Sequence, residues 1–257
     1  CRHIGYIGRK KELYSILLKH KHSLIELAYK PKLMNEAILN ADGFGLAWKN
    51  KECFKLYKNY LPIWNDLNLD SLSKSISSNL VIGNVRSATI SENQGYFNTH
   101  PFNFKNFCFS HNGFIKNFNN TTRKKIFKYL KPKYINLIKG HTDSELIFIL
   151  LIQIIENEKK IGKSIKKTIQ IIKENCDACM LNFLIATFDK NGKNTLYATK
   201  FSVDLKTPSL FYSKHKNEYT IISSEKLNDD KWYCIKNNSL IKAVSYTHLR
   251  AHETYDH

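Results

Sequence analysis

A cysteine at position 1 puts a thiol and, where nothing precedes it, an α-amine on one residue. Unperturbed thiols titrate near ~8.5 and α-amines near ~7.7 to 8, so close to neutral pH such an amine can serve as general base for its own thiol, directly or through one water. A chain that starts on Cys instead of Met implies a removed initiator or a fragment, and alone the residue is weak evidence. Arg86 closes a predicted strand in a lysine-rich chain; its planar fork suits a carboxylate, and the competing reading is a surface arginine. Asp143 falls in the first turn of a predicted helix, where an acid also serves the helix dipole. Asn112-Gly113 follows a predicted strand and reads either as a turn that aims backbone N–H groups outward or as a simple hairpin turn.

These residues belong to four separated motifs. Cys1 leads directly into a strand, and Gly83-Asn-Val-Arg86-Ser-Ala-Thr89, Ser110-His-Asn112-Gly113-Phe-Ile115 and His141-Thr-Asp143-Ser-Glu145 follow in order. Together they resemble the class II glutamine amidotransferases, which are N-terminal-nucleophile hydrolases, over roughly residues 1 to 235. The resemblance implies a four-layer αββα sandwich, with two stacked, mainly antiparallel sheets flanked by helices. It also implies that Cys1 is the nucleophile and that the Asn112 amide and Gly113 N–H form the oxyanion hole. Arg86 would bind a substrate carboxylate with help from Thr89, Ser87 and His100 would line the same stretch, and Asp143 would bind the α-ammonium. The activity implied is hydrolysis of a γ-glutamyl amide bond with no cofactor.

Finer marks resemble the amidohydrolases of ergothioneine biosynthesis: Cys1-Arg-His-Ile-Gly-Tyr-Ile-Gly8, Ala28-Tyr-Lys-Pro31, Asn40-Ala-Asp-Gly-Phe-Gly45, Ser87 after the arginine, and Ser224-Glu225 followed by Trp232. By that resemblance the substrate is γ-glutamyl hercynylcysteine sulfoxide. The alternatives are a glutaminase subunit feeding ammonia to a separate partner synthase, and a hydrolase of glutathione-type γ-glutamyl peptides.

The elements that must position these groups follow from periodicity. Residues 4–8, 41–48, 53–57, 80–85 and 107–110 read as strands, and 67–76 as a helix with Asn65 and Asp66 as possible caps. Helices over about 142–157, with Thr142 as N-cap and Glu145 completing a capping box, and over 164–174 come next. Runs at 180–188, 196–200, 210–212 and 219–222 give a second set of strands, so the pattern is α+β. One domain is expected over 1–244. The segment 245–257, with three histidines and no lysine, reads as a non-native tail.

The net charge of +18 raises the possibility of a nucleic-acid partner, but the lysines are spread along the chain without a dense stripe. The partner expected is therefore a small γ-glutamyl molecule, with no nucleic acid and no membrane. No run is long and apolar enough to span a bilayer and no leader is visible, so cytoplasmic location is the default. Cys176-Asp-Ala-Cys179 has no second ligand pair for zinc and follows a helical pattern, so it reads as structural and no metal site is expected.

Overall fold

A computed structural model describes residues 1–34, 39–88, 95–215 and 218–245, with the backbone of Arg250–His252. Strand β1 (Arg2–Glu12) is followed by helix α1 (Leu24–Tyr29), a hairpin of β2 (Phe44–Asn50) and β3 (Cys53–Asn59), helix α2 (Leu69–Ser75) and β4 (Ser77–Val85). Next come β5 (Phe102–Phe104), β6 (Phe107–Ile115), short helices α3 (Arg123–Phe127) and α4 (Pro132–Ile135), and the long pair α5 (Asp143–Glu158) and α6 (Ile161–Asn175). The chain closes with β7 (Cys179–Phe188), β8 (Asn194–Lys200), β9 (Ser202–Val203), β10 (Phe211–His215), β11 (Tyr219–Ser223), β12 (Tyr233–Cys234), β13 (Ser239–Val244) and β14 (Arg250–His252).

Among the described residues these strands form two antiparallel sheets. One runs β12-β10-β11-β1-β4-β2-β3; the other runs β14-β13-β8-β7-β6-β5, with β9 on β7. The period-2 alternation of β1 shows how the layers arise. Ile4 and Tyr6 face outward onto Leu13, Leu17 and Leu24, whereas Ile7 joins Leu80, Ile82, Leu184 and Leu196 between the sheets. Gly5 lies opposite Leu184 and Leu196, where a Cβ would meet both at 3.1–3.2 Å. On the far side α5 and α6 cover the second sheet, with Phe109 of β6 stacked on Phe148 of α5 at 5.3 Å. The result is the expected αββα sandwich.

Two local expectations are corrected. Helix α2 starts at Leu69, with no side-chain cap at Asn68. Asp66 is committed elsewhere: it accepts from Tyr57 Oη at 2.6 Å and from the Asn68 N–H at 3.0 Å, tying the end of β3 to the turn. Asn112-Gly113 is not a turn, because β6 continues to Ile115, paired with β7 as far as Cys179. Gly113 serves close packing: a Cβ there would overlap the Met180 carbonyl and come within 2.7 Å of His111 Nε2.

Candidate active site

Cys1 sits just beyond the last register pair of β1 and β4, Arg2 opposite Val85, which brings it beside the segment after β4. Its Sγ lies 3.7 Å from the Ser87 carbonyl. Ser87 thus enters the site through its backbone. The end of β1 is pinned by a pair of bonds with the residue after β11: the His3 N–H donates to Ser224 Oγ (2.9 Å), and the Ser224 N–H donates to the His3 carbonyl (3.0 Å).

Arg86 is buried, 4% exposed, and its backbone is gripped by Asp42-Gly43. The Arg86 N–H donates to Gly43 O (2.8 Å), Asp42 N–H donates to Arg86 O (3.0 Å), and Ala88 N–H donates to Asp42 Oδ2 (2.7 Å). Gly43 takes φ +113°, a conformation that favours glycine, and a Cβ would crowd Asn59 O and Thr99 Oγ1. Burial lowers the Arg86 pKa, while Asp42 and Asp143 oppose that shift. Nη1 has no hydrogen-bond partner among the described residues. A buried guanidinium with two acids nearby and an unused donor suits a carboxylate-bearing ligand. Thr89 lies outside the described residues.

His100 is buried on the same side, edge-on to Phe102 at 4.8 Å, with neither ring nitrogen bonded among the described residues. Burial first, then His111, Arg86, Lys58 and His3, hold its pKa well below the ordinary value, so the ring is neutral. Its carbonyl lies over Gly45, where any Cβ would strike it.

From the opposite sheet, Asn112 Nδ2 donates to Ser224 Oγ at 3.2 Å, the same hydroxyl that receives the His3 N–H. One serine therefore ties the candidate oxyanion residue to the strand carrying the nucleophile. Ser110, two residues earlier on the same face, contacts His3 Nδ1 (3.2 Å) and accepts from Asn84 Nδ2 (3.0 Å). On the other face of β6, His111 Nε2 donates to the Met180 carbonyl (2.8 Å), which leaves Nδ1 to accept from Ser144 Oγ (2.9 Å). Asp143 Oδ2 accepts from Ile115 N–H (2.8 Å) and Oδ1 from Ser144 N–H (2.7 Å). Two backbone donors thus fix that carboxylate at the head of α5, where the Thr142 side chain caps the helix through the Glu145 N–H. Glu145 reaches back to the Lys139 and Gly140 N–H groups, so it braces the preceding turn.

The structure therefore gathers Cys1, Arg86, Ser87, Asn112 and Asp143 at one end of the sandwich, with His100 alongside Arg86. Residues not singled out from the sequence also take part. Asp42 and Ser224 stood inside family-like stretches without assigned roles, and their hydrogen bonds supply the reason. Lys58 carried no signal. Its ammonium donates to the Thr99 carbonyl (2.9 Å) and lies 4.5 Å over Tyr96, and burial pushes its pKa down to about 8. Among the described residues no cluster of His, Cys, Asp or Glu is arranged to hold a metal. Among those residues no helix is long and apolar enough to cross a membrane.

A thiol at a strand end, a buried arginine and a helix-head aspartate thus lie at one end of two stacked antiparallel sheets. The chain belongs to the class-II glutamine amidotransferases, whose family profile matches residues 27–198, a span holding Arg86, Asn112, Gly113 and Asp143. It is 34% identical over 181 residues to the probable glutamine amidotransferase DUG3 of Saccharomyces cerevisiae, covering 65% of this chain and 48% of that protein. It is 27% identical over 115 residues to the gamma-glutamyl-hercynylcysteine sulfoxide hydrolase of Mycobacterium tuberculosis, covering 45% of this chain and 49% of that one. The chain thus spans about half the length of these relatives. Its fold matches that of a glutamine aminotransferase class-II domain protein from Silicibacter pomeroyi, with a TM-score of 0.70, 21% identity and 99% of each chain covered. It also matches the glutamine phosphoribosylpyrophosphate amidotransferase from B. subtilis, with a TM-score of 0.63, 17% identity and 98% of this chain against 49% of that one.

Proposed function

We propose that this chain hydrolyses linear γ-glutamyl amides, with Cys1 as nucleophile and its α-amine free. The observation that supports the reading is a buried Arg86 guanidinium and a backbone-held Asp143 carboxylate near enough to interact, with the Cys1 thiol at the carbonyl of Ser87, the residue after Arg86. A γ-glutamyl group offers an α-carboxylate to the first and an α-ammonium to the second, which leaves its γ-carbonyl for the sulfur. The α-amine takes the thiol proton, the thiolate adds to that carbon, and the oxyanion is met by the Asn112 amide and the Gly113 N–H. Collapse expels the leaving nitrogen, which takes its proton from the terminal amine. Water then cleaves the thioester, releasing glutamate and restoring the thiol.

The leaving half of the substrate is a larger conjugate than ammonia in this reading, with γ-glutamyl hercynylcysteine sulfoxide as first choice. The name of the mycobacterial relative and the family-like opening Cys1-Arg-His of this sequence support it. The amidotransferase reading, with ammonia passed to a separate synthase, draws support from the yeast relative.

Glutamate release from glutamine, glutathione and the sulfoxide conjugate decides among these, with Cys1→Ala as control and intact mass reporting the terminus. Turnover of the sulfoxide conjugate alone, abolished by Cys1→Ala, supports the first choice. Turnover of glutamine points to the ammonia-supplying role. No release from any of the three by a protein with a free Cys1 terminus would sink the γ-glutamyl reading.

A further inference from the structure

The direction of the hydrogen bond between Asn112 and Ser224 decides whether Asn112 can serve an oxyanion. An asparagine amide carries a carbonyl oxygen on one arm and an NH2 group on the other, nearly equal in size, and the torsion that swaps them is soft and two-fold. Packing alone therefore selects neither arm. Turned one way, the amide presents a donor to a developing negative charge; turned the other way, it presents an acceptor and opposes that charge.

The hydroxyl of Ser224 makes the selection. Its proton goes to the His3 carbonyl, Oγ to O at 3.4 Å, and its oxygen accepts the His3 N–H at 2.9 Å. What remains towards Asn112 is a lone pair, which only the NH2 arm can meet, at 3.2 Å. One hydrogen of that group is spent on Ser224, and the second is left for a ligand. Among the described residues the Asn112 side chain makes no other hydrogen bond. Asn182, opposite Asn112 on the β6–β7 ladder, is engaged elsewhere, with Nδ2 donating to the Pro208 carbonyl at 2.9 Å. Ser224 is a firm post for this purpose. It is fully buried, its N–H donates to the His3 carbonyl at 3.0 Å, and its own carbonyl accepts from Ser209 Oγ at 2.7 Å.

We propose that Ser224 is a positioning residue, whose hydroxyl oxygen holds the Asn112 amide with its NH2 arm turned for the oxyanion before substrate arrives. The proposal rests on the γ-glutamyl reading, in which Asn112 is that donor.

Ser224 also accepts the His3 N–H, so its loss loosens the start of β1 whatever it does for Asn112. A double-mutant cycle separates the two roles. Ser224→Ala is expected to lower kcat for glutamate release about 10- to 10²-fold, with KM little changed. In an Asn112→Ala background no amide is left to orient, and Ser224→Ala lowers kcat by at most about 3-fold further. The effect through His3 is present in both backgrounds and cancels from the difference. Should Ser224→Ala fail to fold, Ser224→Cys enters the same cycle: its S–H keeps a donor for the His3 carbonyl, while sulfur is a weak acceptor for the amide. An unchanged kcat in the single variant, or equal losses in the two backgrounds, overturns the positioning role and leaves the γ-glutamyl reading standing. No glutamate from glutamine, glutathione or the sulfoxide conjugate, by unaltered protein with a free Cys1 terminus, overturns that reading and this inference with it.

Discussion

At the scale of single residues, the proposed reading separates groups that would hold substrate from groups that hold those groups. Asn112 belongs to both sets, since its amide is the candidate oxyanion donor and also bonds Ser224 Oγ. Losing one such donor costs ~10² to 10³ in rate. Asn112→Ala is therefore expected to lower kcat for glutamate release by that factor, with KM nearly unchanged and Cys1 still alkylated. Under the proposed reading Arg86 differs, because its charge would be engaged in ground state and transition state alike. Arg86→Lys keeps the charge but not the fork, and hydrogen bonds to charged groups are worth ~1.5–3 kcal/mol. The expected outcome is a KM raised about 10- to 10²-fold with a smaller change in kcat. A kcat loss with KM intact would remove Arg86 from carboxylate binding.

At the scale of elements, the sequence told much about where groups sit and less about why. Thr142 and the start of α5 were legible because a cap is a local event: an oxygen side chain beside free N–H groups, followed by an apolar helical period. Asn112-Gly113 was misread as a turn for the opposite reason. Its glycine answers a distant neighbour, the Met180 carbonyl on β7, and no local pattern announces that contact. Ser224 and Glu225 act through the far end of the chain, 221 and 223 residues from His3 and Arg2, so their bonds were equally hidden. The capping and binding roles at the head of α5 can be told apart. Thr142→Ala should cost about 1 kcal/mol in urea unfolding and leave KM alone. Asp143→Asn should raise KM sharply and also cost stability, because one of the two backbone N–H groups the carboxylate accepts would then face an NH2 group. Gly113→Ala should be worse than either cap change, by about 1–3 kcal/mol, since β6 and β7 must part to admit a methyl group.

At the scale of the whole molecule, the sandwich accepts polar groups between and behind its sheets that a folding domain would otherwise avoid. His3, His100 and His111 are all fully enclosed, and burial, the largest cause for each, holds their pKa values below the ordinary imidazole value. Each is thus neutral when folded, while in the unfolded chain it gains a proton near pH ~6.5. The sign follows directly. Below that pH the unfolded state binds more protons than the native state, so stability falls as pH falls; above it the three rings contribute no slope. Each ring that stays neutral removes about 1.4 kcal/mol per pH unit in that window. Their roles differ, however. His111 is bonded at both nitrogens and His3 at one, whereas His100 has no partner among the described residues. Urea midpoints should therefore be flat from pH 8 to about 7 and decline steeply towards pH 5. His100→Gln should make that decline shallower while leaving stability at pH 8 comparatively unchanged. A midpoint independent of pH between 7 and 5 would mean that these rings take up protons in the folded protein, and that the interior around Cys1 is far wetter than its burial implies.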